Sequence, residues 1–429
     1  MKNLIAELEW RGMIHQTTPE IEAQLQKEMT VGYIGYDPTA ESLHIGNLAT
    51  IMLLKHLQMS GHKPIALVGG ATGMVGDPSG KSEERNLLDE ETLAKNQAGI
   101  KKQLEKFLDF DCGENAAEIL NNYDWFKEFN FLDFLRDVGK HITVNYMMAK
   151  DSVKKRLETG LSFTEFSYQM LQGYDFFHLN KNHQVKLQMG GSDQWGNITT
   201  GTELIRKMGG GDAFALTCPL VTKSDGTKFG KSEKGNIWLD SEMTSPYEFY
   251  QFWINCSDED APKLIRVFTL FSQAEIEKME KQHAEADYLS ILQKAMAEDI
   301  TVRVHGREAY ENAVDASRVL FDKKASFEDL KKIDLSTWQG ISKELKLVNI
   351  SKQEFSEMED IATLVSNGTN NAIYSSKSDA TRTIKGGGLS INKQKVTDPK
   401  GMINFDLIHN QYLLIQKGKK DFYLLEVHA

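Results

Sequence analysis

His44-Ile45-Gly46-Asn47 and Lys228-Phe229-Gly230-Lys231-Ser232 are the two stretches of this chain whose residue types and spacing suit phosphate chemistry. A strand is expected before the first (Val31 to Tyr36) and an amphipathic helix after it, which sets His44 and Gly46 at a strand-to-helix turn. Free backbone N–H groups and the positive end of the helix dipole favour an anion there. The second stretch carries two lysines on a glycine-containing loop. Either would be unremarkable alone, His44 as a structural or surface histidine and the lysines as a surface charge cluster. Their pairing is what points to chemistry.

Further candidates follow. Ser162-Phe163-Thr164-Glu165 has the pattern of a capping box that opens a helix. On that helix Tyr168, Gln172 and Asp175 stand at steps of four and three, so all three project from one face. The face is either a solvated polar stripe or the lining of a polar pocket. Asp77, within Gly73-Met74-Val75-Gly76-Asp77-Pro78-Ser79-Gly80-Lys81, is either an ordinary turn aspartate or part of a site. Lys81 and Arg85 follow it as a charged loop that would serve beside a phosphate. His178 and His183 have no partners at metal-ligand spacing, so a protein-bound zinc is not expected.

These residues need a scaffold. Leu48, Ile51, Met52 and Leu54 to Leu57 recur at helical spacing until Gly61, and Pro64 to Val68 reads as a buried strand. Val185 to Gln188, the loop Gly190 to Gln194 and a helix from Trp195 to Met208 repeat the strand-to-helix arrangement. The pattern predicts an α/β fold with a Rossmann-like doubly wound parallel sheet and ligand at the carboxyl ends of its strands. The expected division is a catalytic domain over 1–245, a helical subdomain over 246–321, a polar linker over 322–354 and a small C-terminal α+β domain over 355–429.

Composition narrows the function. At 429 residues, 40% apolar and 26% charged, the chain can bury two or three cores. A net charge of −11 argues against a protein that coats nucleic acid non-specifically, so any RNA contact must be local. From residue 381 onward, however, eight lysines and arginines face four carboxylates, a net of +4. Three scattered cysteines indicate no disulfide framework, and the N-terminus does not read as a signal peptide, so a cytoplasmic protein is expected.

The two signature stretches resemble the HIGH and KMSKS motifs of class I aminoacyl-tRNA synthetases. Tyr33-Ile34-Gly35-Tyr36-Asp37-Pro38-Thr39, Gly69 to Gly73, Asn145 to Met148, Phe163 to Tyr168, Gly190 to Asn197 and Ser245 to Trp253 extend the likeness to the bacterial-type tyrosyl branch over nearly the whole chain. The end of the chain, through Gly386-Gly387-Gly388-Leu389-Ser390-Ile391-Asn392, resembles the S-four-type RNA-binding module of that branch. The resemblance implies a tyrosine–tRNA ligase, with tyrosine, ATP and tRNA as substrates, magnesium accompanying ATP, no protein-bound cofactor and a homodimer. It implies that Tyr33 and Asp175 bind the phenol, and that Asp77, Tyr168, Gln172 and Gln194 complete the tyrosine site. Thr39, His44, Lys81, Arg85, Lys228 and Lys231 would act on the phosphates, while Asp37, Gly46, Asn47, Gly191 and Asp193, with Lys231, hold the nucleotide. Three departures stand out: Asn47 replaces the last histidine of HIGH, Phe229-Gly230 replaces Met-Ser, and Ile34 takes the place of a cysteine common in relatives. The tryptophanyl enzymes and a non-catalytic RNA-binding relative are the competing readings.

Overall fold

The computed structural model describes residues 2–79, 89–157, 160–224, 226, 229–232, 235–322, 324–418 and 421–428, without the side chains of Glu90, Lys155, Lys231, Ser232, Lys343 and Glu344. Two compact units are present: Met1–Asp240 with Cys256–Met296, and Ser241–Asn255 with Ala297–Ala429.

The first unit is built on six strands: β1 (Gln16–Thr17), β2 (Val31–Tyr36), β3 (Lys63–Val68), β4 (Glu118–Asn121), β5 (Val185–Gly191) and β6 (Phe214–Cys218). They lie in the order β1-β6-β5-β2-β3-β4. All neighbours are parallel except β1, which closes the edge antiparallel to β6. The expected parallel sheet is therefore present. β3 is buried almost throughout, as a strand covered on both faces must be. The first crossover is the Ile45–Met59 helix, whose Leu48, Ile51, Met52, Leu53, Leu54 and Leu57 are fully buried. At its end Ser60 and then Gly61, at φ +89°, turn the chain back towards β3. The long Glu90–Phe107 helix and β4 lie between β3 and β5 in the chain.

The Leu4–Trp10 helix is tied to a distant part of the same unit. Arg11 donates through Nη1 to the carbonyls of Arg266 and Thr269, at 2.6 and 3.0 Å, and through Nη2 to that of Phe271 at 2.6 Å. A cation thus takes up carbonyls left open at the end of the Ala261–Phe268 helix.

A two-stranded hairpin, β7 (Lys231–Ser232) with β8 (Gly235–Asn236), follows in the first unit. The second unit carries five strands, β9 (Lys346–Ser351), β10 (Leu389–Ile391), β11 (Gln394–Val396), β12 (Tyr412–Lys417) and β13 (Asp421–His428), in the order β11-β10-β12-β13-β9. Ile361, Leu364, Tyr374, Ile384, Leu413 and Leu425 centre its core. Residues 322–354, read from sequence as a polar linker, contain the Phe327–Lys332 and Leu335–Glu344 helices and β9, which pairs parallel with β13. Their polarity is that of short capped helices and an edge strand whose Lys346, Leu347 and Asn349 are exposed.

Candidate active site

β2, β3 and β5 are adjacent at the centre of the sheet, and the chain leaves each at its carboxyl end through a segment rich in candidate residues. Residues 37–47 follow β2, 69–79 follow β3 and 192–197 follow β5. This is the crevice in which open α/β sheets bind ligands.

The Phe163–His183 helix supplies one wall. Ser162 caps it by accepting from the Glu165 N–H at 3.2 Å, and the Glu165 carboxylate forms a buried ion pair with Arg156 at 2.6 Å. Tyr168 and Asp175 are buried, which excludes a solvated stripe at those two positions. The Asp175 carboxylate accepts from Trp125 Nε1 at 2.9 Å and from Asn122 Nδ2 at 3.0 Å. Burial nevertheless dominates and, with Asp37 nearby, pushes the acid up to about 8 against those two hydrogen bonds. Tyr33, 1% exposed, stands in the field of Asp175, and its hydroxyl has no hydrogen-bond partner among the described residues. Burial first and Asp175 second hold that phenol well above its ordinary range.

At the other end, Asp77 accepts from Gln194 Nε2 at 2.8 Å and from the Ser79 N–H at 2.9 Å. Asn197 Nδ2 donates to Gln172 Oε1 at 2.9 Å and lies 3.4 Å from Asp77 Oδ1. Tyr168 donates its hydroxyl to Asp37 Oδ2 at 2.7 Å, and its phenol is raised by burial and then by Asp37, Asp77 and Asp175 together. Asp37, expected on the nucleotide, also accepts from Thr72 Oγ1 at 2.7 Å. Thr72 Oγ1 in turn accepts from Asn122 Nδ2 at 3.0 Å. One chain of hydrogen bonds therefore runs from Tyr168 through Asp37, Thr72 and Asn122 to Asp175.

The two signature stretches meet. The Ile45 N–H donates to the Ile237 carbonyl at 2.9 Å, the Leu239 N–H to the Leu43 carbonyl at 2.8 Å, and the His44 and Trp238 rings lie 5.8 Å apart. A Cβ on Gly230, at φ +87°, would sit 3.2 Å from the Gly46 nitrogen, so the lysine loop packs directly on the helix N-terminus. Phe229, in place of methionine, stacks on Phe268 at 5.4 Å. Asn47, in place of histidine, accepts from the His44 N–H at 3.1 Å and so helps shape the turn itself. Thr39 is exposed beyond β2. A Cβ on Gly191 would meet Asp193 Oδ1 at 2.7 Å, so a larger residue there would move the Asp193 carboxylate. Ile34 is buried in the sheet. Lys81, Arg85 and Lys228 lie outside the described residues, as does the side chain of Lys231.

Four neighbours of these groups carried no sequence signal of their own: Thr72, Asn122, Trp125 and Asn197. Thr72 and Asn197 fall within the quoted Gly69 to Gly73 and Gly190 to Asn197 stretches, but nothing in their type or spacing marks Thr72 as the partner of Asp37 or Asn197 as the amide between Gln172 and Asp77.

Comparison with known proteins gives a consistent picture. The profile of class I tRNA synthetases (W and Y) matches residues 25–322, and that of the tyrosine–tRNA ligase SYY-like C-terminal domain matches residues 341–425. The tyrosine–tRNA ligase of Cytophaga hutchinsonii is 60% identical over 99% of both chains. That of Amoebophilus asiaticus is 59% identical over 100% of both. Among solved structures, a C-terminally truncated mitochondrial tyrosyl-tRNA synthetase of Aspergillus nidulans is 29% identical with a TM-score of 0.67, covering 75% of this chain and 95% of its own. An Archaeoglobus fulgidus tyrosyl-tRNA synthetase shares the fold at 16% identity and a TM-score of 0.54, over 72% of this chain and 99% of its own.

Proposed function

We infer, from the premise that this chain belongs to the class I (W and Y) tRNA synthetase family and is a tyrosine–tRNA ligase, how its own residues carry the reaction. The observation that carries the reading is the buried, unpartnered Tyr33 hydroxyl beside the Asp175 carboxylate. Buried polar groups are ordinarily paired, and one left open in a pocket is suited to a polar atom of the ligand. The phenol of tyrosine donates to ionised Asp175 and accepts from Tyr33. Phenylalanine would leave the Tyr33 hydroxyl unpaired, at a cost of about 1–3 kcal/mol, and would give Asp175 no partner beyond Trp125 and Asn122. The ammonium group lies among Asp77, Tyr168 and Gln172, with Gln194 holding Asp77 in place.

A carboxylate oxygen of tyrosine then attacks the α-phosphorus of ATP in line. The new P–O bond forms as the bond to the leaving pyrophosphate breaks, and the electron pair departs with the pyrophosphate. Magnesium arrives with the ATP phosphates as part of the substrate. Gly46 and Gly191 let backbone approach the nucleotide, and Asp193 and Asn47 help to hold it. Thr39 and His44, with the cations Lys81, Arg85, Lys228 and Lys231, stabilise charge that grows on the leaving group. In the second step a ribose hydroxyl of the tRNA end attacks the acyl carbon and AMP leaves.

Amino-acid-dependent exchange of pyrophosphate into ATP tests this reading. Tyrosine should support exchange, while phenylalanine and tryptophan should not, and Asp175→Ala should depress the tyrosine reaction sharply. Exchange with tryptophan, or an unchanged Asp175→Ala enzyme, would overturn it.

The chain works as a homodimer in this reading. Segments between residues 131 and 163 expose Phe131, Leu132, Val144, Leu157 and Phe163, each close to half exposed or more, which is unfavourable for a lone copy in water. A Phe131→Glu/Leu132→Glu variant should sediment as a monomer where the parent sediments as a dimer.

A further inference from the structure

A cavity of about 590 Å³ is walled by Leu120, Asp124, Trp125, Tyr174, His178 and His183, among others. Trp125 is the residue it shares with the tyrosine pocket, because its Nε1 donates to Asp175. The indole sits on the Tyr123–Phe126 helix, which is four residues long and buries none of them fully. So short a helix cannot fix its own side chains. The Phe163–His183 helix does so from outside. Asp175 takes the indole N–H, and His178, three residues on, lies flat on the indole face with ring centroids 4.4 Å apart and planes at 15°. Two residues one turn apart thus hold the same ring, one by its edge and one by its face.

We propose that His178 is a positioning residue for substrate recognition: by stacking on Trp125 it keeps the indole N–H aimed at Asp175, although it touches no substrate itself. The inference rests on the reading that Asp175 receives the phenol. The imidazole suits this task as a flat neutral ring. Burial, then the charges of His183 and Lys181, bring it down to about 4, so it stays uncharged at neutral pH. Asp124 and Glu128, which also line the cavity, do not convert the contact into an ion pair under those conditions.

The test uses pyrophosphate exchange by the full chain. His178→Ala and His178→Leu should raise KM for tyrosine about threefold to tenfold, the range of one aromatic contact, with kcat and KM for ATP within about twofold. His178→Phe, which restores a flat ring, should return KM to near the parent value. Trp125→Phe, which removes the donor, should also raise KM for tyrosine, and adding His178→Ala to it should cost nothing more. Full additivity, failure of phenylalanine to rescue, an unchanged KM in both His178→Ala and His178→Leu, or equal losses in kcat and both KM values would overturn the proposal. Asp175→Ala separates the two levels. If it abolishes tyrosine-dependent exchange while the His178 variants behave as the parent, only the positioning role fails. If it changes nothing, the phenol site itself is wrong.

Discussion

Asp175 concentrates the chemistry of recognition in one group. Its burial holds the acid at about 8, whereas the unfolded chain would ionise it near 4. To accept a phenolic proton it must be ionised, so kcat/KM for tyrosine should rise with pH along a limb centred near 8, and Asp175→Asn should remove that limb, as read by exchange kinetics across pH. The sign for stability is opposite. Between about 4 and about 8 the folded chain binds the extra proton, so the contribution of Asp175 to stability is full below that window and is lost as pH rises through it. The groups expected to touch substrate were legible because spacing placed Tyr168, Gln172 and Asp175 on one face and a motif marked Tyr33. Thr72, Asn122 and Trp125 were not, because each touches a touching residue. Asn122, one residue past a four-residue strand without alternation, gives no periodic signal.

Elements explain why the phosphate site depends on glycine. A methyl group on Gly46 would fall 2.7 Å from His44 Cε1 and 2.9 Å from Nδ1. Gly46→Ala should therefore displace the His44 ring and lower kcat for activation by about tenfold, the loss of roughly 1.4 kcal/mol of transition-state stabilisation, while KM for tyrosine stays nearly unchanged. Varying each substrate separately in the exchange assay checks this. The strands and helices that form this turn were readable because β3 is apolar after Lys63 and the Ile45–Met59 helix buries a continuous stripe. The 322–354 region misled for the converse reason: β9 earns its place through backbone pairing with β13, which side-chain polarity does not record.

For the molecule as a whole, charge is divided unevenly, but not every cation in the C-terminal stretch is available. Lys393 donates to the Leu320 and Asp322 carbonyls, and Lys417 to the Ile373 carbonyl while lying over the Tyr374 ring; Lys419 and Lys420 lie outside the described residues. Besides Arg382 and Lys400, two exposed cations remain, Lys385 and Lys395. Reversing both to glutamate in the full chain should weaken tRNA charging and reduce its salt dependence by about one unit of log slope per lost phosphate contact, with tyrosine activation unchanged. Charging rates across a salt series, beside exchange rates, measure both. Truncation near Ser351 is a poorer test, because it would leave β9 without β13. The grip of Arg11 on the 266–271 carbonyls has a consequence in time. Its partners lie 255 to 260 residues further along the chain, and β1 likewise waits for β6. At about 5–20 residues per second of synthesis, the first helix leaves the ribosome tens of seconds before its binding site exists. During that interval Leu4, Ile5 and Leu8 can be covered only by neighbours made earlier, such as the Ile45–Met59 helix, while the Arg11 guanidinium stays without its carbonyls.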